Sequence, residues 1–153
     1  MEKAEKISVS ELSVGDWVCA EQLCGVHSKP RLTPPMKVVG LGDGAGGWVN
    51  LMIDPEQGDP FEFEPSEIRG VPITAEVLEK NGWSEFSDYH NSWKLDIDSD
   101  KRVWMFKNSH DWTFQVMSWG LGHNHSVAKA YIKDIHELQR ALRLAKVGKD
   151  IVL

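Results

Sequence analysis

For most of its length the chain reads in short alternating runs of apolar and polar residues, and it settles into a helical stripe only twice. The turn pair Gly15-Asp16 precedes Trp17-Val18, which begins the first strand. Residues 25–35, with Gly25, Pro30, Pro34 and Pro35, read as a loop, and Met36–Leu41 and Gly47–Ile53 as two further strands. Pro60-Phe-Glu-Phe-Glu64 alternates apolar and acidic side chains and predicts a half-exposed strand, with Ser66–Arg69 a short turn after it. In the second half Trp93, Leu95 and Ile97 alternate with Lys94, Asp96 and Asp98, and Asp98–Lys101 turns the chain. Val103-Trp-Met-Phe106 is apolar on both faces, as in a central strand; Trp112, Phe114 and Val116 mark a third run and Val127–Ile132 a fourth.

The two helices carry their own punctuation. Thr74 suits the N-cap of a helix over 74–81, closed by Asn81-Gly82. Asp134, with Glu137 three residues on, opens a helix over 134–147 in capping-box style. Its stripe is Ile135, Leu138, Leu142 and Ala145, and Gly148 is the expected stop. The fold class is therefore α+β, in two modules. Residues 1–71 form a small β-barrel. Residues 72–153 form a helix, an antiparallel meander of about four strands over 92–132, and a C-terminal helix packed on it.

Two resemblances refine this reading. The order of turn, Gly15-Asp16-Trp17-Val18 strand, Val38-Val39-Gly40 strand and late short turn looks like an SH3-like barrel. Pro72–Trp83 and Ile132–Leu144, with Glu11–Trp17 in front, resemble a family of small uncharacterised proteins of gut bacteria, their phages and mobile elements. That likeness implies a link to mobile elements and no assigned activity.

Composition narrows the field further. The 153 residues suffice for one domain or two small modules without a covalent staple. Two cysteines imply no disulfide framework. The charged start Met1–Ile7 has no apolar core of a signal peptide, and no apolar run spans a bilayer, so a cytoplasmic protein without a membrane partner is expected. A net charge of −6 disfavours general nucleic-acid binding. Seven tryptophans are an unusual supply of large amphipathic rings.

Motifs for chemistry come close and fail at the residue that matters. His136-Glu137-Leu138-Gln139-Arg140 has the first histidine and the glutamate of a zinc-protease helix, but Arg140 stands where the second imidazole must be and repels a metal. By the apolar stripe, His136 faces solvent. His123-Asn-His125 is the best metal candidate, two imidazoles two residues apart, but it sits in an expected loop over 120–126 with no third ligand nearby. Cys19, Cys24 and His27 are spaced more widely than paired zinc ligands, and buried thiols are expected instead. Asp96, Asp98 and Asp100 begin like a calcium loop, but lysines occupy the sixth and twelfth positions, so a hairpin turn explains them. Gly42-Asp-Gly-Ala-Gly-Gly47 spells a dinucleotide fingerprint, yet a strand rather than a helix follows it. No catalytic residue, metal or cofactor is therefore assigned.

A non-enzymatic interaction or adaptor protein is the leading expectation, with another protein as partner. Trp17, Trp48, Trp83 and Trp104 are its candidate anchors, and Lys133, His136, Arg140 and Arg143 a candidate basic helix face. Residues 126–153 carry six Lys/Arg against three acids, whereas 54–68 carry six acids and no base, an asymmetry that suits docking. The alternatives are a nucleic-acid-binding accessory protein, using the basic helix and the aromatics, and a metal-dependent enzyme built on His123 and His125.

Overall fold

The computed structural model describes residues 6–22, 29–42, 47–54, 56, 58–86, 91–119 and 125–153. It is mostly β with two helices, and it divides into two compact units, Met1–Pro72 and Ile73–Leu153.

Unit 1 is a half-barrel of six strands: β1 (Trp17–Gln22), β2 (Arg31–Leu32), β3 (Met36–Leu41), β4 (Val49–Met52), β5 (Phe61–Phe63) and β6 (Ile68–Gly70). The strand order is β2-β1-β3-β4-β5, and β6 pairs with β1. The entry to β1 is set locally. Gly15 takes a left-handed φ of +94°, and Asp16 Oδ2 accepts the Ser13 N–H at 2.8 Å. Gly15 N–H and Asp16 C=O then clip this turn to Val38 in β3. Inward-pointing Val18, Ala20, Met36, Val38, Val49, Leu51, Phe63 and Ile68 form the core together with Ile7 and Leu12. Ser66–Arg69, expected as a turn, is half strand. A 3₁₀ turn covers Pro65–Glu67, and Ile68 and Arg69 then pair with Ala20 and Cys19. A four-residue window hides this strand, because only the pairing with β1, nearly fifty residues earlier in the sequence, makes it extended.

Unit 2 opens with α1 (Ala75–Lys80), capped by Thr74 Oγ1, which accepts the Val77 N–H at 3.3 Å. At its other end Asn81 exchanges two 2.8 Å hydrogen bonds with the backbone of Val152. Five antiparallel strands follow in simple meander order: β7 (Ser84–Glu85), β8 (Ser92–Asp96), β9 (Lys101–Lys107), β10 (Trp112–Ser118) and β11 (His125–Ile132). Short β7 was not expected; two exposed polar residues give no period to detect. One sheet face carries buried Trp93, Leu95, Val103, Met105, Trp112, Phe114, Val116 and Ile132. These and the buried Ile135, Leu138 and Leu142 of α2 (Ile135–Leu144) make the core of the unit.

Both ends of α2 depart from expectation. Asp134 accepts the Glu137 N–H at 3.2 Å as a cap, but the Glu137 carboxylate reaches back one residue further, to the Lys133 N–H at 2.6 Å. The helix stops before Gly148. Lys146 adopts φ +56°, its N–H bonds Arg143 C=O, and Val147 N–H bonds Leu142 C=O. That is a Schellman ending with lysine where glycine is usual. Lys146→Gly relieves the Cβ clash of the left-handed conformation and is expected to raise stability by about 0.5–1 kcal/mol in a urea titration. An unchanged or lowered midpoint would show that Lys146 is not strained.

Candidate binding face

The open face of the unit 2 sheet, opposite the core, is the most distinctive surface among the described residues. Directly paired residues share a side of a sheet, so the register places its side chains in three rows. Tyr131, Thr113, Phe106 and Ser92 form the first. Lys129, Gln115, Trp104, Lys94 and Ser84 form the second. Ser126, Met117, Arg102 and Asp96 form the third.

Trp104 is the hub. Its ring meets Phe86, just beyond β7, with centroids 5.4 Å apart at 89°. It meets Phe106 at 6.0 Å and 84°, and Trp119, just beyond β10, at 6.2 Å and 74°. All three are edge-to-face, the arrangement that the ring quadrupole favours. Phe86, Trp104, Phe106 and Trp119 are half-buried, and Tyr131 is 65% exposed. Trp104 Nε1 is buried and meets no hydrogen-bond partner among the described residues.

A cation lies over three rings of this face. Lys94 Nζ stands 5.4 Å from the Phe86 centroid, the Arg102 guanidinium 5.0 Å from Trp119, and Lys129 Nζ 5.4 Å from Tyr131. Arg102 also pairs with the Asp96 carboxylate. Beyond it, Asp98 and Asp100 close the β8–β9 turn, where Asp98 Oδ1 accepts the Asp100 N–H at 2.8 Å. The hairpin reading of these aspartates thus matches the local hydrogen bonding.

Charge is distributed unevenly between the units. Residues 73–153 hold eleven Lys/Arg and eleven Asp/Glu, so the net −6 of the chain belongs to unit 1. That acidic unit carries a shallow, open groove of about 560 Å³ lined by Ile7, Val9, Gly42, Gly47, Pro65 and Ser66, among others.

The residues singled out in the sequence are scattered. Trp104 lies in the aromatic face. Trp48, 51% exposed, follows Gly47 of the unit 1 groove, where Gly42 N–H bonds Trp48 C=O at 2.7 Å and ties the two strand ends together. Trp17 is half-buried beneath Lys37, its partner across β3, with Nζ 5.1 Å from the ring. Trp83 is 3% exposed and offers a partner no surface. Arg140 and Arg143 are exposed on α2, and Lys133 is exposed just before it. His136 corrects the expectation: it is 2% exposed, with Nδ1 against the Asp134 carboxylate. The buried arc of α2 includes His136 and Gln139 beside the leucines. Each residue turns about 100° around a helix, and counting apolar letters alone made that arc too narrow.

The metal candidates lie only partly within the described residues. His125 begins β11, paired with Ser118, rather than lying in a loop; His123 lies outside the described residues. Cys24, His27 and residues 43–46 also lie outside them. Cys19 is buried, and burial pushes its thiol up to about 11, the direction that opposes thiolate ligation. Among the described residues no three His, Cys, Asp or Glu side chains gather as a metal site. No helix among them is long and apolar enough to cross a membrane.

Most of the aromatic face escaped sequence reasoning. Its one visible signal is that Val103–Phe106 is apolar at every position, so β9 presents rings on the side turned away from the core. Phe86, Trp119 and Tyr131 join only through strand pairing across the meander. Comparison of the chain with protein families, curated proteins and solved structures gives no match.

Proposed function

We propose that the chain is a non-enzymatic interaction protein whose working surface is the aromatic face of unit 2. One observation carries the reading: four half-buried rings and exposed Tyr131 lie on the sheet side that the core does not use, three of them beneath cations. Folding gains most from aromatic area that is fully buried, so rings gathered on an open face suit contact with something else. The face is laid out across strands rather than enclosed, which suits an extended macromolecular ligand more than a small molecule.

Unit 1 is, in this proposal, an SH3-like barrel. The reading is supported by its connectivity: β1 pairs with both β3 and β6, β3-β4-β5 form a meander, and a 3₁₀ turn separates β5 from β6. Its groove, flanked in sequence by Trp48 and lined mainly by apolar and small residues, is a second place for a protein segment.

The test is capture by the tagged protein from lysate without nuclease, with retained protein and nucleic acid both analysed. A Tyr131→Ala, Lys129→Glu double variant is expected to lose the retained partner, and Arg140→Glu, on the far side of the unit, to keep it. Retention by the double variant at wild-type level would rule out the aromatic face as the working surface.

A further inference from the structure

We infer that the aromatic face binds a single-stranded nucleic acid, stacking its bases on the rings while Lys94 and Lys129 meet its phosphates; this rests on that face being the working surface. The acidity of the whole chain argues against such a ligand, but unit 2 is electrically balanced and the −6 lies in unit 1. Within the paired rows Lys94, Arg102 and Lys129 stand against Asp96, and Asp98 and Asp100 add acid at the β8–β9 turn beside Trp119. Sequence-tolerant single-strand sites combine these two ingredients, aromatic platforms for bases and positive charge for the backbone.

The register also gives the path. Asp96, Asp98, Asp100 and Arg102 line one small cavity beside Trp119, where the carboxylates repel phosphate and Asp96 already holds Arg102. The middle row lacks acids and runs from Lys129 through Gln115 and Trp104 to Lys94. Two lysines thus flank the aromatic hub, with Phe106 and Tyr131 in the next row. Strands lie about 4.8 Å apart, so Lys129 on β11 and Lys94 on β8 are separated by roughly 14 Å, a span that an extended strand of a few nucleotides covers. Thr113 and Gln115, both partly exposed, stand between the rings with donors and acceptors for base edges. A peptide adding to the edge of β11 is less well served, because the register slips at Val116/Met117 and Lys129 lies within the strand, both devices that blunt an edge.

The experiment is fluorescence anisotropy of the full chain with labelled oligo-dT and oligo-U of about ten nucleotides, across a salt series. Binding at low salt is expected, with a log–log salt slope of about −1.4 for two phosphates on a single strand. Tyr131→Ala should weaken binding about tenfold, and Lys129→Glu should weaken it and flatten the slope by about 0.7. Arg140→Glu should change neither. Tyr131 and Lys129 are exposed, so both variants keep the test sound even where Trp104→Ala does not fold. No anisotropy change at low salt with folded protein overturns the inference, as does equal weakening by Lys129→Glu and Arg140→Glu. If oligonucleotides fail while a captured protein is lost with the Tyr131 and Lys129 changes, nucleic acid is wrong and the face stands. If neither ligand depends on those residues, both readings fall.

Discussion

Arg69→Met is expected to destabilise the protein by about 3 kcal/mol. Arg69, on β6, is almost fully buried, and Nη2 pairs with Glu21 Oε2 at 2.6 Å. Nη1 donates to Ser66 C=O at 2.6 Å and Ile68 C=O at 2.9 Å. Methionine preserves most of the apolar stem, so little packing is lost. What disappears is the donor set. A partly buried carboxylate loses its cation, and two carbonyls lose a donor where the 3₁₀ turn hands over to β6. Breaking such a pair from one side costs more than the pair contributes when intact, because the remaining charge stays desolvated. A urea titration followed by tryptophan fluorescence measures the loss. A change within about 0.5 kcal/mol of wild type would mean that the pair is structurally neutral and that β6 is held by its ladder with β1 alone.

Asp134→Ala is expected to cost a comparable amount, about 3 kcal/mol, for a different reason. Its carboxylate serves two groups at once. It accepts the Glu137 N–H at the start of α2, and it faces Nδ1 of buried His136. Loss of the cap accounts for about 1 kcal/mol. Loss of the acceptor beside a buried imidazole adds about 1–3 kcal/mol. Asp134→Asn retains a capping oxygen and should recover roughly the capping share. The comparison separates the two roles in one urea series. Equal losses for alanine and asparagine would assign the whole effect to the carboxylate charge, and no loss for either would leave His136 held by its other surroundings.

These two sites show where reading the sequence succeeds and where it stops. Asp134 was identifiable as a cap, because capping is a relation among residues within one turn. Its second role was not, since the burial of His136 depends on how widely α2 is covered. Arg69 read as part of a turn, and its extended conformation comes from pairing with Cys19 on β1. The end of α2 failed similarly. Gly148 is the expected stop, yet backbone bonds from Lys146 and Val147 close the helix earlier, on a residue that pays some strain for the left-handed conformation. The zinc-protease fragment, the glycine-rich stretch and the triple aspartate all had local grounds for rejection. For the aspartates the hairpin reading agrees with the observed turn.

The sequence by itself determined the longer strand runs, the two capped helices and a chain that is mostly β, because alternation, capping and turn chemistry act over a few neighbouring residues, whereas the short β2, β6 and β7 escaped it. Tertiary structure alone decided which rings share a face. Tyr131, Phe106, Trp104, Trp119 and Phe86 come from four different stretches of chain, and only the meander register, with Phe86 and Trp119 just past the ends of β7 and β10, gathers them. A side chain's neighbours across a sheet are set by pairing partners far away in sequence, and a local window holds no record of that distance.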